Sequence, residues 1–437
     1  MSKSDDKNTK KEKTTKDSGI TVVDDGEDAP KRKKREVKNK KTGKVIAFGK
    51  NKKTPNSVGI AAAVIIFLLV FIIADAGAGG FLAEVNGKFI STVTRRSAAK
   101  FSVSAGSDET DAFLPYGSGF AVLSGGGVSY VKSSGTQYAK QQFSYGSPDM
   151  SVCGNITLVF DRGNTNYALL SSGSLYSSRS MNNNIIDAAA AKNGNYVIAV
   201  SGENAKTVLY GFDSTGKTIY QWTCGDGYIA GVAISRSGDN AAVLIVNSEN
   251  AVLSSKILMF DFDYDTAFAE YNFNDEIVAD MKFLSSSKLL IVSEHKVYTA
   301  SKGEAEEIYN YQGADIAFTD LHDGDFSAVV TDDVSRDDSY TLALFGKNGK
   351  LLCTAPLSGK VRGVSASDKS VSVLFADKTE TYSRRGKSVG TVTDLKHYNN
   401  IVLNGNYIYL MTSDLIKKYP AYGTVSAADT VTEEVSE

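Results

Sequence analysis

Small polar turns recur along this chain at nearly constant spacing, and each turn leads into a short apolar run. Neighbouring turns are separated by 36 to 49 residues from residue 118 onwards. Their anchor residues are Ser118, Gly154, Gly194, Gly238, Ser287, Gly324, Asp368 and Gly405. Glycine suits several of these positions because tight hairpin turns need positive φ. The spacing predicts eight repeats, each with room for four short strands.

The apolar runs between the turns are rich in β-branched and aromatic residues, as in Tyr196–Val200 and Val371–Phe375. Such runs are typical of strands. Eight small sheets predict an all-β fold, a β-propeller of eight four-stranded blades, because a blade buries both faces only against its neighbours. We expect the spare strand Ala99–Ser104 to close the ring as the outer strand of the last blade. Two β-sandwiches would not explain the regular spacing.

An uninterrupted apolar run precedes the repeats. Val58 to Ala74 holds seventeen residues and no charge, and the uncharged stretch begins at Thr54. A helix over this stretch is about 30 Å long, the thickness of the hydrocarbon core, so we predict a transmembrane helix at residues 57–75. A signal peptide cleaved after Ala76 or Ala78 is the alternative, but the region before it is too long.

The flanks of the apolar run differ in charge. Residues 1–56 hold 18 Lys/Arg and 9 Asp/Glu, a net charge of +9, which leaves −11 for residues 57–437. The positive-inside bias predicts a single-pass protein of the cell membrane with a cytoplasmic N-terminus and an extracellular C-terminal domain. Residues 1–56 are predicted to be a disordered basic tail that contacts anionic membrane lipid. Nucleic-acid binding is not expected, because the tail lacks interleaved aromatic residues.

The resulting division has five parts: the tail 1–56, the span 57–75, a linker 76–98, the propeller 99–422 and a disordered acidic tail 423–437. Two motifs, Ala191–Val200 (AKNGNYVIAV) and Phe212–Lys217 (FDSTGK), resemble blade elements of the YVTN/quinoprotein/WD40-like propeller group. The whole layout resembles an uncharacterised family of membrane-anchored propeller proteins of clostridial-type Gram-positive bacteria. That resemblance implies a fold and a layout but no activity. Trp222 is the only tryptophan, which argues against a bound quinone.

Residues for catalysis are sparse. The three histidines, His295, His322 and His397, lie in different repeats, and the three cysteines have no metal-ligand spacing. No nucleophile-elbow, zinc-protease or P-loop motif occurs. Acidic runs at 261–265 and 332–338 could offer oxygens to Ca²⁺, but they lack EF-hand spacing and are interpreted as solvated turns. We therefore predict no catalytic residue, no metal and no cofactor.

Charged residues stand where the inner strands of the predicted blades begin. They are Asp149, Asp187, Asp280, Asp315, Arg362 and Asp394. Inner strands line the channel of a propeller, so these side chains could ring one channel mouth and favour a cation, a polyamine or a basic peptide group. The alternative is that each Asp caps its own turn.

Three functions fit this reading. The first is a non-catalytic binding or scaffold module for a protein, peptide or glycan at the cell surface, favoured because the chain offers a rigid platform without a catalytic set. The second is a transmembrane sensor that signals through a partner. The third is a hydrolase or lyase with carboxylates in the central funnel.

Overall fold

A computed structural model describes residues 101–428 except 105–109, 125, 203–206, 250–251, 275, 302, 323 and 414. The predicted basic tail, transmembrane helix and linker lie outside the described residues, as does the acidic tail from residue 429. Within the described part of the chain, no helix has the length and apolar character needed to cross a membrane.

The described residues form eight small sheets. Blade 1 holds β2 (Thr110–Tyr116), β3 (Gly119–Ser124), β4 (Gly127–Val131) and β5 (Gln137–Gln142). Blade 2 holds β6 (Pro148–Cys153), β7 (Ile156–Asp161), β8 (Asn166–Ser171) and β9 (Ser174–Ser180). Blade 3 holds β10 (Ile185–Ala190), β11 (Tyr196–Ser201), β12 (Thr207–Phe212) and β13 (Thr218–Cys224). Blade 4 holds β14 (Tyr228–Ile234), β15 (Asn240–Glu249), β16 (Val252–Asp261) and β17 (Ala269–Phe273).

The second half of the ring repeats the pattern. Blade 5 holds β18 (Val278–Ser285), β19 (Lys288–Ser293), β20 (Lys296–Ser301) and β21 (Glu304–Asn310). Blade 6 holds β22 (Asp315–Asp320), β23 (Phe326–Asp332), β24 (Ser339–Gly346) and β25 (Leu351–Ser358). Blade 7 holds β26 (Val361–Ala366), β27 (Ser370–Phe375), β28 (Thr379–Ser383), β29 (Ser388–Thr393) and β33 (Gly423–Ser426). Blade 8 holds β30 (Asn400–Asn404), β31 (Tyr407–Met411), β32 (Leu415–Pro420) and β1 (Ser102–Ser104).

This architecture confirms the predicted eight-bladed propeller with four-stranded blades. Eight buried clusters hold it together, and each cluster joins two neighbouring blades, including blade 8 to blade 1. The second strand of a blade is covered on both faces, and β11 is buried along nearly its whole length. Outer strands face solvent, and β9 is exposed at most positions. A strand buried on both faces needs a continuous apolar run, which explains the sequence pattern.

The ring closes through both ends of the described chain. β1 pairs antiparallel with β32, with Ser102 opposite Lys417, as predicted for the closing strand. Phe101 is buried beside Phe120 of blade 1 and Tyr409 of blade 8. The sequence predicts an unstructured tail from residue 423, whereas the structure adds β33 to blade 7 as a fifth strand parallel to β29. Val425 is buried there, so one apolar side chain in a polar segment holds β33 against blade 7.

The inner strands share a local irregularity. The pairing of β2, β10, β14, β18, β22 and β26 with the next strand shifts by one residue near the start of the inner strand. Such a bulge changes the direction in which the side chains after it point. Asp187 and Asp280 both come directly after a bulge, which places them at matching positions of blades 3 and 5.

Candidate functional site

A cavity of about 280 Å³ lies among the inner strands of blades 2 to 5 and the end of β22. Its charged lining comes from Asp187, Arg236, Asp280, Lys282 and His322, and its apolar lining includes Ala189, Val232 and Phe283. The carboxylates come from the first half of their strands. The cationic groups come from later positions of the inner strands or from the turns that follow them. The site therefore changes from acidic to basic along the inner strands.

The acidic end contains a carboxylate–guanidinium–carboxylate group. Arg162 follows β7 and donates from Nη2 to Asp149 Oδ2 at 2.6 Å and to Asp187 Oδ1 at 3.1 Å. Its Nη1 also donates to the Ile186 carbonyl at 2.5 Å. The side chains of Asp149 and Arg162 are about two-fifths exposed. The group has a formal net charge of −1 and lies open to solvent, so we call Asp149, Arg162 and Asp187 the mouth triplet.

Asp187 is the buried member of the mouth triplet. Its Oδ2 accepts a hydrogen bond from the Val232 backbone N–H of the next blade at 2.8 Å. Burial raises the pKa of its carboxyl to about 6, although the Val232 N–H and the Arg162 charge act in the opposite direction. Burial disfavours the charged form, and one shared guanidinium offsets that cost only in part.

Asp280 and Lys282 project from β18 toward blade 6. The Asp280 carboxylate accepts from the Met281 N–H at 2.7 Å and lies 3.5 Å from Thr319 Oγ1. Lys282 Nζ donates to the carbonyls of His322 and Gly324 at 2.6 and 2.9 Å. Burial raises the pKa of the Asp280 carboxyl and lowers the pKa of the Lys282 ammonium to about 8.

A histidine–aspartate pair lies beside Lys282. His322 Nδ1 is 2.7 Å from Asp320 Oδ1, and Asp320 Oδ2 accepts from the Ala366 N–H of blade 7 at 2.7 Å. Burial lowers the pKa of His322, but the Asp320 charge more than offsets this, so the pKa lies above its ordinary value. The sequence gives no reason to single out this pair, because its position depends on the turn after β22.

Of the six predicted mouth residues, three line one cavity or bond to its lining: Asp149, Asp187 and Asp280. The structure brings Asp149 and Asp187 together through Arg162, which sequence reasoning missed, and Asp280 lines the same cavity as Asp187. Asp315 is exposed at the start of β22, where it pairs in register with Asp332. No described hydrogen bond or ion pair joins Asp315 to the other five.

The two remaining residues make contacts of their own. Arg362 lies at the bulge of β26 and donates from Nη1 to the Tyr398 carbonyl at 3.1 Å. Asp394 accepts from Thr393 Oγ1 at 3.0 Å and from Ser426 Oγ of β33 at 2.6 Å. Asp394 thus accepts from two hydroxyl groups beside the outermost strand of blade 7.

The other sequence candidates form local turns. Asp261 and Asp333 each bind a backbone N–H two residues later, and no group of metal-ligating side chains occurs in the described part of the chain. Cys153, Cys224 and Cys353 form no disulfide with one another. Tyr228, the first residue of β14, is 59% exposed, whereas Tyr311 is buried and donates to the Ser293 carbonyl.

The fold and the cavity define this chain as an eight-bladed β-propeller with a charged central channel. It belongs to a family of unknown function (DUF5711), whose model matches residues 94–389. No curated protein matches the sequence. Among solved structures, the chain is similar to Sqt1 from Chaetomium thermophilum bound to the N-terminus of ribosomal protein L10. That match has a TM-score of 0.51 and 10% identity, over 74% of this chain and 100% of Sqt1.

Two further structures show the same kind of similarity. Sqt1 from Saccharomyces cerevisiae gives a TM-score of 0.50 at 8% identity, over 73% of this chain and 98% of that chain. BamB from Moraxella catarrhalis gives a TM-score of 0.43 at 14% identity, over 70% of this chain and 92% of that chain. At these identities the likeness concerns the fold alone.

Proposed function

We propose that this protein is a non-catalytic binding module, held at the outer face of the cell membrane, that binds a protein or peptide through the mouth triplet. The observation that carries the proposal is the pairing of Asp149 and Asp187 around one exposed guanidinium. A cationic group of a partner can bind the spare negative charge, and exposed Tyr228 on β14 can add stacking or apolar contact.

The rigidity of the ring supports this function. Every blade packs on two neighbours, so loops and channel residues keep their positions without a bound ligand, which lowers the entropic cost of association. The similar Sqt1 structure holds a peptide segment of a ribosomal protein. From it we take only that a protein of related fold can bind a peptide. Placement in the membrane rests on the apolar run and the basic segment before it.

A live-cell crosslinking experiment tests the binding function. The full-length chain with a C-terminal affinity tag is compared with the variant Asp149→Asn/Asp187→Asn, which keeps the shape of the mouth and removes both charges. Asp213→Asn/Asp333→Asn is the matched control, since it removes two exposed carboxylates that bind local turns. We expect one partner to be captured by the wild type and the control and to be lost from the mouth variant. Equal capture by all three, or no capture, contradicts the proposal.

Topology is tested separately on intact cells. A protease added outside should remove the propeller and spare an N-terminal tag, because the basic segment is proposed to be cytoplasmic. Loss of the N-terminal tag with retention of the propeller would reverse the orientation.

A further inference from the structure

Two charged residues of the channel cavity, Asp280 and Lys282, lie outside its two ion-paired groups. Asp149 and Asp187 share Arg162, and Asp320 binds His322. Within the described part of the chain, Asp280 and Lys282 form no ion pair. Asp280 has one short hydrogen bond, from its neighbour's N–H, and Lys282 donates to two neutral carbonyls. An ammonium has three donors, so Lys282 keeps one for another acceptor.

Asp280 and Lys282 stand on one face of β18. The pairing of β18 with β19 is regular from Asp280 to Lys282, so the two side chains are two residues apart on a strand, roughly 6.6 Å. They do not bond each other, although both line the same cavity. Burial raises the pKa of the Asp280 carboxyl and lowers the pKa of the Lys282 ammonium, and in each case burial is the largest cause of the shift. Opposite charges that are close but unpaired leave room for a ligand between them.

The cavity has space beside this pair. Leu321 and His322, which follow β22 of the next blade, line the cavity together with Asp280 and Lys282. The cavity volume of about 280 Å³ is near the lower end for small-molecule sites. Ala189, Val232 and Phe283 give part of the wall an apolar surface.

We propose that the channel binds a small zwitterion, a free amino acid or a short peptide, with its ammonium at Asp280 and its carboxylate at Lys282. Arg236 and His322 line the cavity with Lys282 and add positive potential to it. Both ligand charges then gain charge-assisted hydrogen bonds. Asp280 and Lys282 each gain an opposite charge at ion-pair distance, in addition to the more distant charges of His322 near Asp280 and of Asp320 near Lys282. The apolar wall accepts a side chain. Asp187 of the mouth triplet lines the same cavity, whereas Asp149 and Arg162, which the proposed protein partner would contact, lie outside its lining.

Titration calorimetry on the full-length protein in detergent tests the site. The probes are the twenty amino acids and di- and trialanine, each beside its N-acetyl derivative, which lacks the ammonium, and its amide, which lacks the carboxylate. We expect at least one zwitterion to bind, and each singly charged derivative of it to bind about tenfold or more weakly, since each loses a charge-assisted hydrogen bond. Binding by no probe, or equal binding by the derivatives, overturns the proposal.

Variants assign the two ends of the ligand. With Asp280→Asn the zwitterion should bind no better than its N-acetyl derivative, and with Lys282→Gln no better than its amide. Asp213→Asn and Lys288→Gln are matched controls outside the cavity, and both should bind as the wild type does. Lys282→Arg keeps the charge and should retain binding if Lys282→Gln fails to fold. Unchanged selectivity in both cavity variants contradicts the assignment. Asp149→Asn, a mouth-triplet variant outside the cavity lining, should leave zwitterion binding intact, so this test and the crosslinking test can fail independently.

Discussion

At the scale of single residues, the position of a charge along an inner strand decides its role. Asp187 and Asp280 follow matching bulges and both point toward the next blade, yet only Asp187 meets a guanidinium. The sequence predicts that these two aspartates lie near the start of inner strands. It does not predict Arg162, because that side chain reaches its partners from a turn of blade 2 to an inner strand of blade 3.

The raised pKa of Asp187 predicts a pH-dependent stability. The carboxyl pKa is about 6 in the folded chain, against 3.8 for an ordinary Asp. Asp187 therefore favours folding most below pH 4, and this contribution is lost as the pH rises through 6. At neutral pH, the charged form of Asp187 lowers the free energy of unfolding by about 3 kcal/mol. Asp187→Asn avoids this cost while an amide oxygen still accepts from the Val232 N–H.

We expect Asp187→Asn to melt at higher temperature than the wild type at pH 8, and the difference to shrink between pH 6 and pH 4. Thermal unfolding followed by circular dichroism across this range measures it. A melting-temperature difference that does not change with pH would show that desolvation of the carboxylate is not the cause.

At the scale of strands and turns, the sequence was most informative about elements whose residues repeat. The turn spacing and the apolar runs predict all eight blades, and Ala99–Ser104 contains the strand that closes blade 8. β33 was not predicted because the segment Gly423–Ser426 is short and mostly polar. It is identified as a strand only by its pairing with β29. The hydrogen bond between Ser426 and Asp394 was not predicted for the same reason, since Ser426 belongs to that strand.

β33 should contribute measurable stability. It covers the outer edge of blade 7 and buries Val425, and its end residue Ser426 bonds Asp394. A chain that ends at Tyr422 should lose about 1–3 kcal/mol of unfolding free energy, from one buried Val side chain and several hydrogen bonds. A chain that ends at Ala428 keeps the strand and is the control. Denaturant unfolding compares the two. Equal midpoints would mean that β33 is not a stabilising element.

At the scale of the whole molecule, the fold is a ring of nearest-neighbour interfaces, and one of them joins residues almost 300 positions apart. Phe101 and Phe120 come from the start of the described chain and Tyr409 from near its end, and the three rings pack together between blades 8 and 1. Closing this long loop costs conformational entropy. The aromatic cluster offsets that cost and turns an open row of blades into a closed ring.

Phe101→Ala should therefore destabilise the molecule as a unit. Phe101 is 3% exposed, and removing such a ring typically costs about 3–5 kcal/mol. We expect a lower midpoint in urea with an unchanged slope, because a closed ring unfolds cooperatively. Leu351→Ala, on exposed outer strand β25, is the control and should leave the midpoint nearly unchanged.

Hydrogen exchange tests which interface of the ring opens first. If closure is the last interface to form, β3 and β31 should lose protection before the strands of blades 4 and 5. Loss of protection that begins in blades 4 and 5 would place the weakest interface elsewhere in the ring.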